Sequence, residues 1–202
     1  MPSLADSVGK ELRSILIFVG VIWTVFLLSF ALPLNDYGLQ PRSWIGLLGI
    51  VTMPFLHANI KHIVGNTIPL IVLLFLLAGS RAKSWQIVVE IVVLGGVILW
   101  LFGRNGSASD TRVVHIGASG LISGLITFLI MGGVFERRFI PVVVAIITFL
   151  MYGGSLLWGF IPTETQVSWD GHLCGAAAGG LLAFQLARRR RPKDAAKRQL
   201  PD

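Results

Sequence analysis

His62-Ile63-Val64-Gly65-Asn66-Thr67-Ile68-Pro69-Leu70-Ile71-Val72-Leu73-Leu74-Phe75-Leu76-Leu77-Ala78 is an apolar run with two strongly polar residues at its head. Its length is close to the ~20 residues a helix needs to cross a bilayer. Five further runs share that character, at residues 15–34, 85–102, 116–134, 139–160 and 169–187. The expectation is an all-α membrane protein: one six-helix domain over residues 15–187, a short N-terminus 1–14 and a basic tail 188–202. The break at 35–61 is half apolar but interrupted by Gly and Pro, and reads as a loop lying at or partly in the membrane interface.

Composition agrees with this class. Hydrophobic residues make up 54% of the 202-residue chain and charged ones 13%, against about 25% charged in soluble domains. The 23 glycines suit membrane helices, where Gly is frequent. A net charge of +7 raises the question of nucleic acid, but the basic residues flank apolar runs and fill the tail Arg188-Arg189-Arg190-Arg191-Pro192-Lys193. Such clusters orient a membrane protein and meet anionic lipid, so lipid is the expected partner and nucleic acid is not. The single cysteine, Cys174, permits no internal disulfide and no thiolate metal cluster, and reads as helix packing.

Counting Lys and Arg sets the orientation. With the N-terminus cytoplasmic, 13 fall inside (Lys10, Arg13, Arg81, Lys83, Arg137, Arg138 and the seven after Ala187) and 4 outside (Arg42, Lys61, Arg104, Arg112). The positive-inside rule then puts both termini of a multi-pass cell-membrane protein in the cytoplasm, as an even number of spans requires. Lys10, Arg13 and Ser29-Phe30-Ala31 have some look of a cleaved signal peptide, but the apolar run continues past Ala31, so a retained helix is expected. Glu90, near the cytoplasmic end of its span, is expected to snorkel towards Lys83 or a neighbouring helix.

Polar groups inside lipid are expensive and mark function. His62 and Asn66 open the second span, Ser119 lies near the start of the fourth and His172 near the start of the sixth. Even-numbered spans enter from the same outer side, so all four residues share a depth to within about 10 Å at ~1.5 Å per residue. His172, Gly175 and Gly179 share a helix face, and Gly117, Gly120 and Gly124 offer small residues opposite, so the fourth and sixth helices can approach closely. A serine hydroxyl needs an adjacent base to act as a nucleophile, and neutral histidine supplies one. An oxyanion needs preorganised donors: the N–H groups at the Ser119 helix start, with His62 and Asn66 side chains. This set suggests acyl transfer to water. Asp170 is two residues from His172 and on a different face, so it reads as a polar helix-start residue rather than a triad acid. His115 reads as an interfacial residue just outside the fourth helix.

Three segments resemble the rhomboid family. His57-Ala58-Asn59-Ile60-Lys61-His62-Ile63-Val64-Gly65-Asn66, led in by Thr52-Met53-Pro54-Phe55-Leu56, is similar to that family's His-x4-His-x3-Asn motif. Gly117-Ala118-Ser119-Gly120 resembles its Gly-x-Ser-Gly, and Gly171-His172-Leu173-Cys174-Gly175-Ala176-Ala177-Ala178-Gly179 its Gly-His-x2-Gly-x3-Gly. The resemblance implies a six-helix rhomboid-like bundle with a Ser119–His172 dyad. It also implies an oxyanion site of the Ser119 N–H with His62 and Asn66, and a buried His57 that steadies the first loop. It implies an intramembrane serine protease that uses no cofactor or metal and cuts transmembrane segments of other membrane proteins. Two departures stand out: Leu48 and Gly49 replace the Trp-Arg pair common in the first loop, and Ser123 replaces an aromatic often found four residues after the nucleophile. The alternative reading is a catalytically silent rhomboid-like chaperone or binding protein. A small transporter is disfavoured by the lack of internal repeats, and a metalloprotease by the lack of His-Glu-x-x-His.

Overall fold

The computed structural model describes residues 4–81, 83–105, 113–161 and 168–197. Seven α-helices are present among them: α1 (Leu4–Leu28), α2 (Gly49–Thr52), α3 (Ile60–Ser80), α4 (Ser84–Phe102), α5 (Ser119–Glu136), α6 (Phe139–Trp158) and α7 (Trp169–Lys197). Five helical stretches are long and apolar enough to cross a membrane: Val8–Leu28, Ile60–Ser80, Ser84–Phe102, Ser119–Glu136 and Phe139–Trp158. The sixth expected span falls on α7, which has the length but a different composition. Its first turns carry Asp170 and His172, and Arg188, Arg189 and Arg190 lie towards its far end. Arg112, counted among the outer charges, lies outside the described residues, as does the end of the tail from 198 on.

Each helix end has a local cause. At the head of α3, Asn59 accepts the backbone N–H of His62 at 2.9 Å, a side-chain N-cap. The fourth run becomes helical only at Ser119, because Gly117 has φ +114°, a conformation that interrupts helix. α5 stops at Arg137, whose left-handed φ of 51° caps it. The first run also shifts, since α1 ends at Leu28 while Pro33 and a 3-10 turn at Leu34–Tyr37 follow. Residues 35–61 form no span. The apolar stretch Ile45–Phe55 winds through two 3-10 turns and the single turn of α2.

The bundle is arranged around α5, whose span is 61% buried against 22% for those of α1 and α6. Leu121, Leu125, Phe128 and Leu129 of α5 meet Leu73 and Leu77 of α3 and Ile91 of α4 in the core. α1 contributes Ile15, Val19, Ile22 and Phe26, recurring every three or four residues on one face. Large apolar side chains also cover the exterior, among them Leu16, Ile68, Phe75, Val89, Ile146 and Leu150. An aqueous protein rarely exposes so much contiguous apolar surface, and lipid accounts for it.

α3, α5 and α7 run parallel and are tied at both ends. At their C-terminal ends Arg81 donates to Glu136 at 2.7 and 2.9 Å, and Arg190 donates to Glu136 at 2.9 Å. Arg81 also lies over the Phe128 ring, 5.3 Å from its centroid. By its place in the sequence Arg81 is a flanking charge, but the fold buries it to 5% exposure. Glu90 pairs with Gln86 of its own helix at 2.8 Å rather than with Lys83. Along their length α5 and α7 touch backbone to backbone. A Cβ on Gly175 would fall on the Gly120 carbonyl, and one on Gly179 on that of Gly124.

Candidate active site

The N-terminal ends of α3, α5 and α7 form the polar end of the bundle. Ser119 is the first residue of α5 and is half-buried. The turn before it is positioned by the Gly117 N–H, which donates to the Met53 carbonyl at 2.9 Å. A Cβ on Gly117 would stand 2.6 Å from Cε1 and Nε2 of His62 and 3.6 Å from Nδ2 of Asn66. The Gly117 backbone thus lies directly against the two polar residues that open α3, which sequence spacing alone had only matched in depth.

His57 supports that pair from behind. It is 1% exposed, and its Nε2 accepts a hydrogen bond from Nδ2 of Asn66 at 3.0 Å. Its ring packs edge-on against His62, with centroids 4.9 Å apart. Burial, then the neighbouring His62, holds its pKa down at about 4, outweighing the Phe55 backbone. His57 is therefore neutral at neutral pH, with its proton on Nδ1 and the Asn66 amide nitrogen held by Nε2. Its backbone carbonyl accepts from Asn35 Nδ2 at 3.4 Å.

His172, half-buried on α7, directs its ring towards the end of α6, where Nδ1 lies 2.8 Å from the Gly159 carbonyl. A carbonyl only accepts, so Nδ1 carries the proton and Nε2 keeps its lone pair. One residue from each side chain the helices are in contact: a Cβ on Gly120 would lie 3.2 Å from the Gly171 carbonyl. The Ser119 hydroxyl makes no hydrogen bond to His172 in this geometry. Ser123 is buried in α5 and offers no ring for His172 to stack on. The orienting partner is the Gly159 carbonyl, which sequence reading did not find because α6 and α7 approach only in the fold.

Asp170 makes its bonds elsewhere, accepting the Arg104 N–H at 2.9 Å, with the Ser168 hydroxyl oxygen 3.2 Å from its Oδ1. His115 lies just outside the start of α5 and is buried. It is 2% exposed, pairs by both backbone bonds with Leu39, and has Nδ1 2.7 Å from the Ser168 hydroxyl. Ser168 stands just before an apolar helix, and its oxygen accepts the Gly171 N–H at 3.2 Å as a cap.

A helical bundle clad in apolar side chains, with serine, histidines and asparagine gathered at the heads of three parallel helices, defines a membrane-embedded protein with a polar site at one end. The chain belongs to the rhomboid family: the family model described as Rhomboid domain matches residues 44–189. Uncharacterized protein Rv1337 of Mycobacterium tuberculosis is 41% identical over 192 residues, covering 92% of this chain and 79% of that protein. Uncharacterized protein ML1171 of Mycobacterium leprae is 39% identical over 181 residues, 86% of this chain and 70% of the relative. The rhomboid-named protein L523 of Acanthamoeba polyphaga mimivirus is 24% identical over 162 residues, 79% of this chain and 84% of its own.

Proposed function

We propose that this protein is an intramembrane serine endopeptidase of six membrane spans, α7 being the sixth, that cleaves transmembrane segments of other membrane proteins. The observation that carries the reading is the Gly117 turn, two residues before Ser119, whose backbone lies against the His62 ring near the Asn66 amide. In this reading Nε2 of His172 takes the Ser119 hydroxyl proton as Oγ attacks the scissile carbonyl. The new oxyanion is met by the Ser119 N–H, His62 and the amide of Asn66. The intermediate collapses, the imidazolium hands its proton to the leaving amine, and water attacks the acyl-enzyme with the same base to regenerate Ser119. Substrates are segments whose helix unwinds easily, because a protease needs extended backbone while an intact span keeps its amides hydrogen-bonded. The site faces outward and both termini lie in the cytoplasm of a cell-membrane protein, as the Lys and Arg distribution supports.

The competing reading, a silent binding protein, draws on the missing Ser119–His172 hydrogen bond. Unoccupied catalytic sites are often loose and tighten only around substrate, so that feature does not separate the two. Labelling in liposomes with a serine-reactive fluorophosphonate does. The wild type is expected to label and to cut a transmembrane test substrate, and Ser119→Ala and His172→Ala to do neither. Cleavage by Ser119→Ala at the wild-type rate would remove the assignment. Substrate binding with no turnover by the wild type would favour the silent reading.

A further inference from the structure

His115 precedes Ser119 by four residues, and Ser168 precedes His172 by four. The two meet side chain to side chain, His115 Nδ1 standing 2.7 Å from Ser168 Oγ. Each is fixed to its own segment. His115 exchanges backbone hydrogen bonds with Leu39 at 2.9 and 2.8 Å. Ser168 caps α7 through the Gly171 N–H, and its carbonyl accepts the N–H of His172 itself at 3.0 Å. We propose that His115 is a positioning residue, a cross-brace that sets the separation of Ser119 and His172 by tying the chain leading into the nucleophile to the cap of the helix carrying the base. This rests on the protease reading above.

Proton accounting fixes the form of the brace. Ser168 has one hydroxyl hydrogen and two acceptors in reach, His115 Nδ1 at 2.7 Å and Asp170 Oδ1 at 3.2 Å. The other imidazole nitrogen, Nε2, faces Asp170 Oδ2 at 3.7 Å. A lone pair on Nε2 would oppose the carboxylate, so the proton sits there and Nδ1 accepts from Ser168. Asp170 is held in turn by the Arg104 N–H at 2.9 Å and its guanidinium at 3.4 Å. Burial lowers the pKa of His115 below the ordinary value, outweighing the Asp170 charge and the Arg104 backbone, which raise it, and so favours the neutral ring the brace requires. Serine, histidine and aspartate together invite comparison with a second hydrolytic triad. The Ser168 oxygen, however, is already committed to a helix cap and an imidazole, and its half-buried hydroxyl is a joint rather than a free nucleophile.

The test measures kcat and KM for a transmembrane test substrate in liposomes, with thermal stability measured beside them. His115→Leu is expected to lower kcat about tenfold or more while leaving KM within about twofold, since small misplacements of reacting groups act on turnover. His115→Asn places Oδ1 where Nδ1 stood and is expected to restore most of that loss. The double variant His115→Leu with Ser168→Ala should lose no more than the worse single variant, because both cut the same link. Unchanged kcat in His115→Leu would overturn the brace, as would a loss confined to KM, full additivity in the double variant, or His115→Asn as inactive as His115→Leu. These outcomes leave the protease reading standing. A wild type without Ser119-dependent labelling or cleavage would sink that reading and the brace together.

Discussion

Nδ1 of His172 donates a hydrogen bond to the backbone carbonyl of Gly159 at 2.8 Å, so the end of α6 sets the tautomer of the residue on α7. A carbonyl fills the orienting role that a carboxylate plays in a triad, without adding a buried charge. Gly159 has φ −63° and ψ −14°, which any residue can adopt, so a substitution there acts by size alone. A Cβ would stand 2.8 Å from Nδ1 and 3.3 Å from the Ser155 carbonyl. Gly159→Val should therefore displace the ring and lower kcat by about 10- to 100-fold, since a shift of about 1 Å can cost that much. Fluorophosphonate labelling kinetics would check it; full-rate labelling with normal stability would show that the ring position does not matter.

Gly117 is constrained twice, by its φ of +114° and by the His62 ring against its backbone. Gly117→Ala should cost about 1–3 kcal/mol from the strained backbone alone. It should also remove activity more completely than that loss explains, because the Cβ displaces the His62 ring, which the proposed mechanism needs for the oxyanion. The comparison needed is cleavage rate against melting temperature across Gly117→Ala and Gly120→Ala. If the two variants lose rate in simple proportion to stability, the role assigned to the Gly117 turn is wrong.

Much of this arrangement was legible from residue order. Polar residues at the heads of alternate apolar runs put His62, Asn66, Ser119 and His172 at one depth, and glycines at helical spacing marked α5 and α7 as close neighbours, which their backbone contact bears out. What stayed hidden depends on chain segments far apart in sequence. Gly159 acts through a carbonyl that every residue possesses. His115 and Ser168 lie in short polar breaks that read as interface. Arg81 and Glu136 looked like flanking charges because such residues usually lie at helix ends in water or headgroups.

His57 predicts a pH dependence whose sign follows from its environment. Its pKa in the folded protein is about 4, below the ordinary 6.5, because burial disfavours the imidazolium. Between those values the unfolded chain binds more protons than the native one, so stability falls as pH drops from 6.5 towards 4. The shift corresponds to about 3 kcal/mol, most of it lost by pH 4. Protonation also turns Nε2 from an acceptor into a donor facing the Asn66 amide. His57→Gln, which keeps an acceptor there without a titrating ring, should show a shallower loss of melting temperature over this range. Parallel curves for the two proteins would assign the acid sensitivity to other groups.

The Arg81–Glu136 pair separates stability from chemistry, because it lies at the far end of the helices that carry the site. Both side chains are 3% exposed, and Glu136 also takes Arg190, which is 41% exposed. Neutralising one partner leaves the other charge buried without compensation, a change that commonly costs about 3–5 kcal/mol. Glu136→Gln should thus be strongly destabilising, and Arg190→Gln much less so, since water already solvates that arginine. Replacing both members, Arg81→Met with Glu136→Leu, should recover much of the loss, because a buried pair gains little over apolar residues of similar size. The physical reason is that desolvating two charges nearly cancels their attraction, whereas one charge left alone keeps the whole desolvation cost. Melting temperatures in detergent would measure all four proteins, with fluorophosphonate labelling of Ser119 as the second readout. Variants that remain folded should label at the wild-type rate. A folded Glu136→Gln protein with wild-type stability would mean that water reaches Arg81 and that α3, α5 and α7 are not clamped at this end.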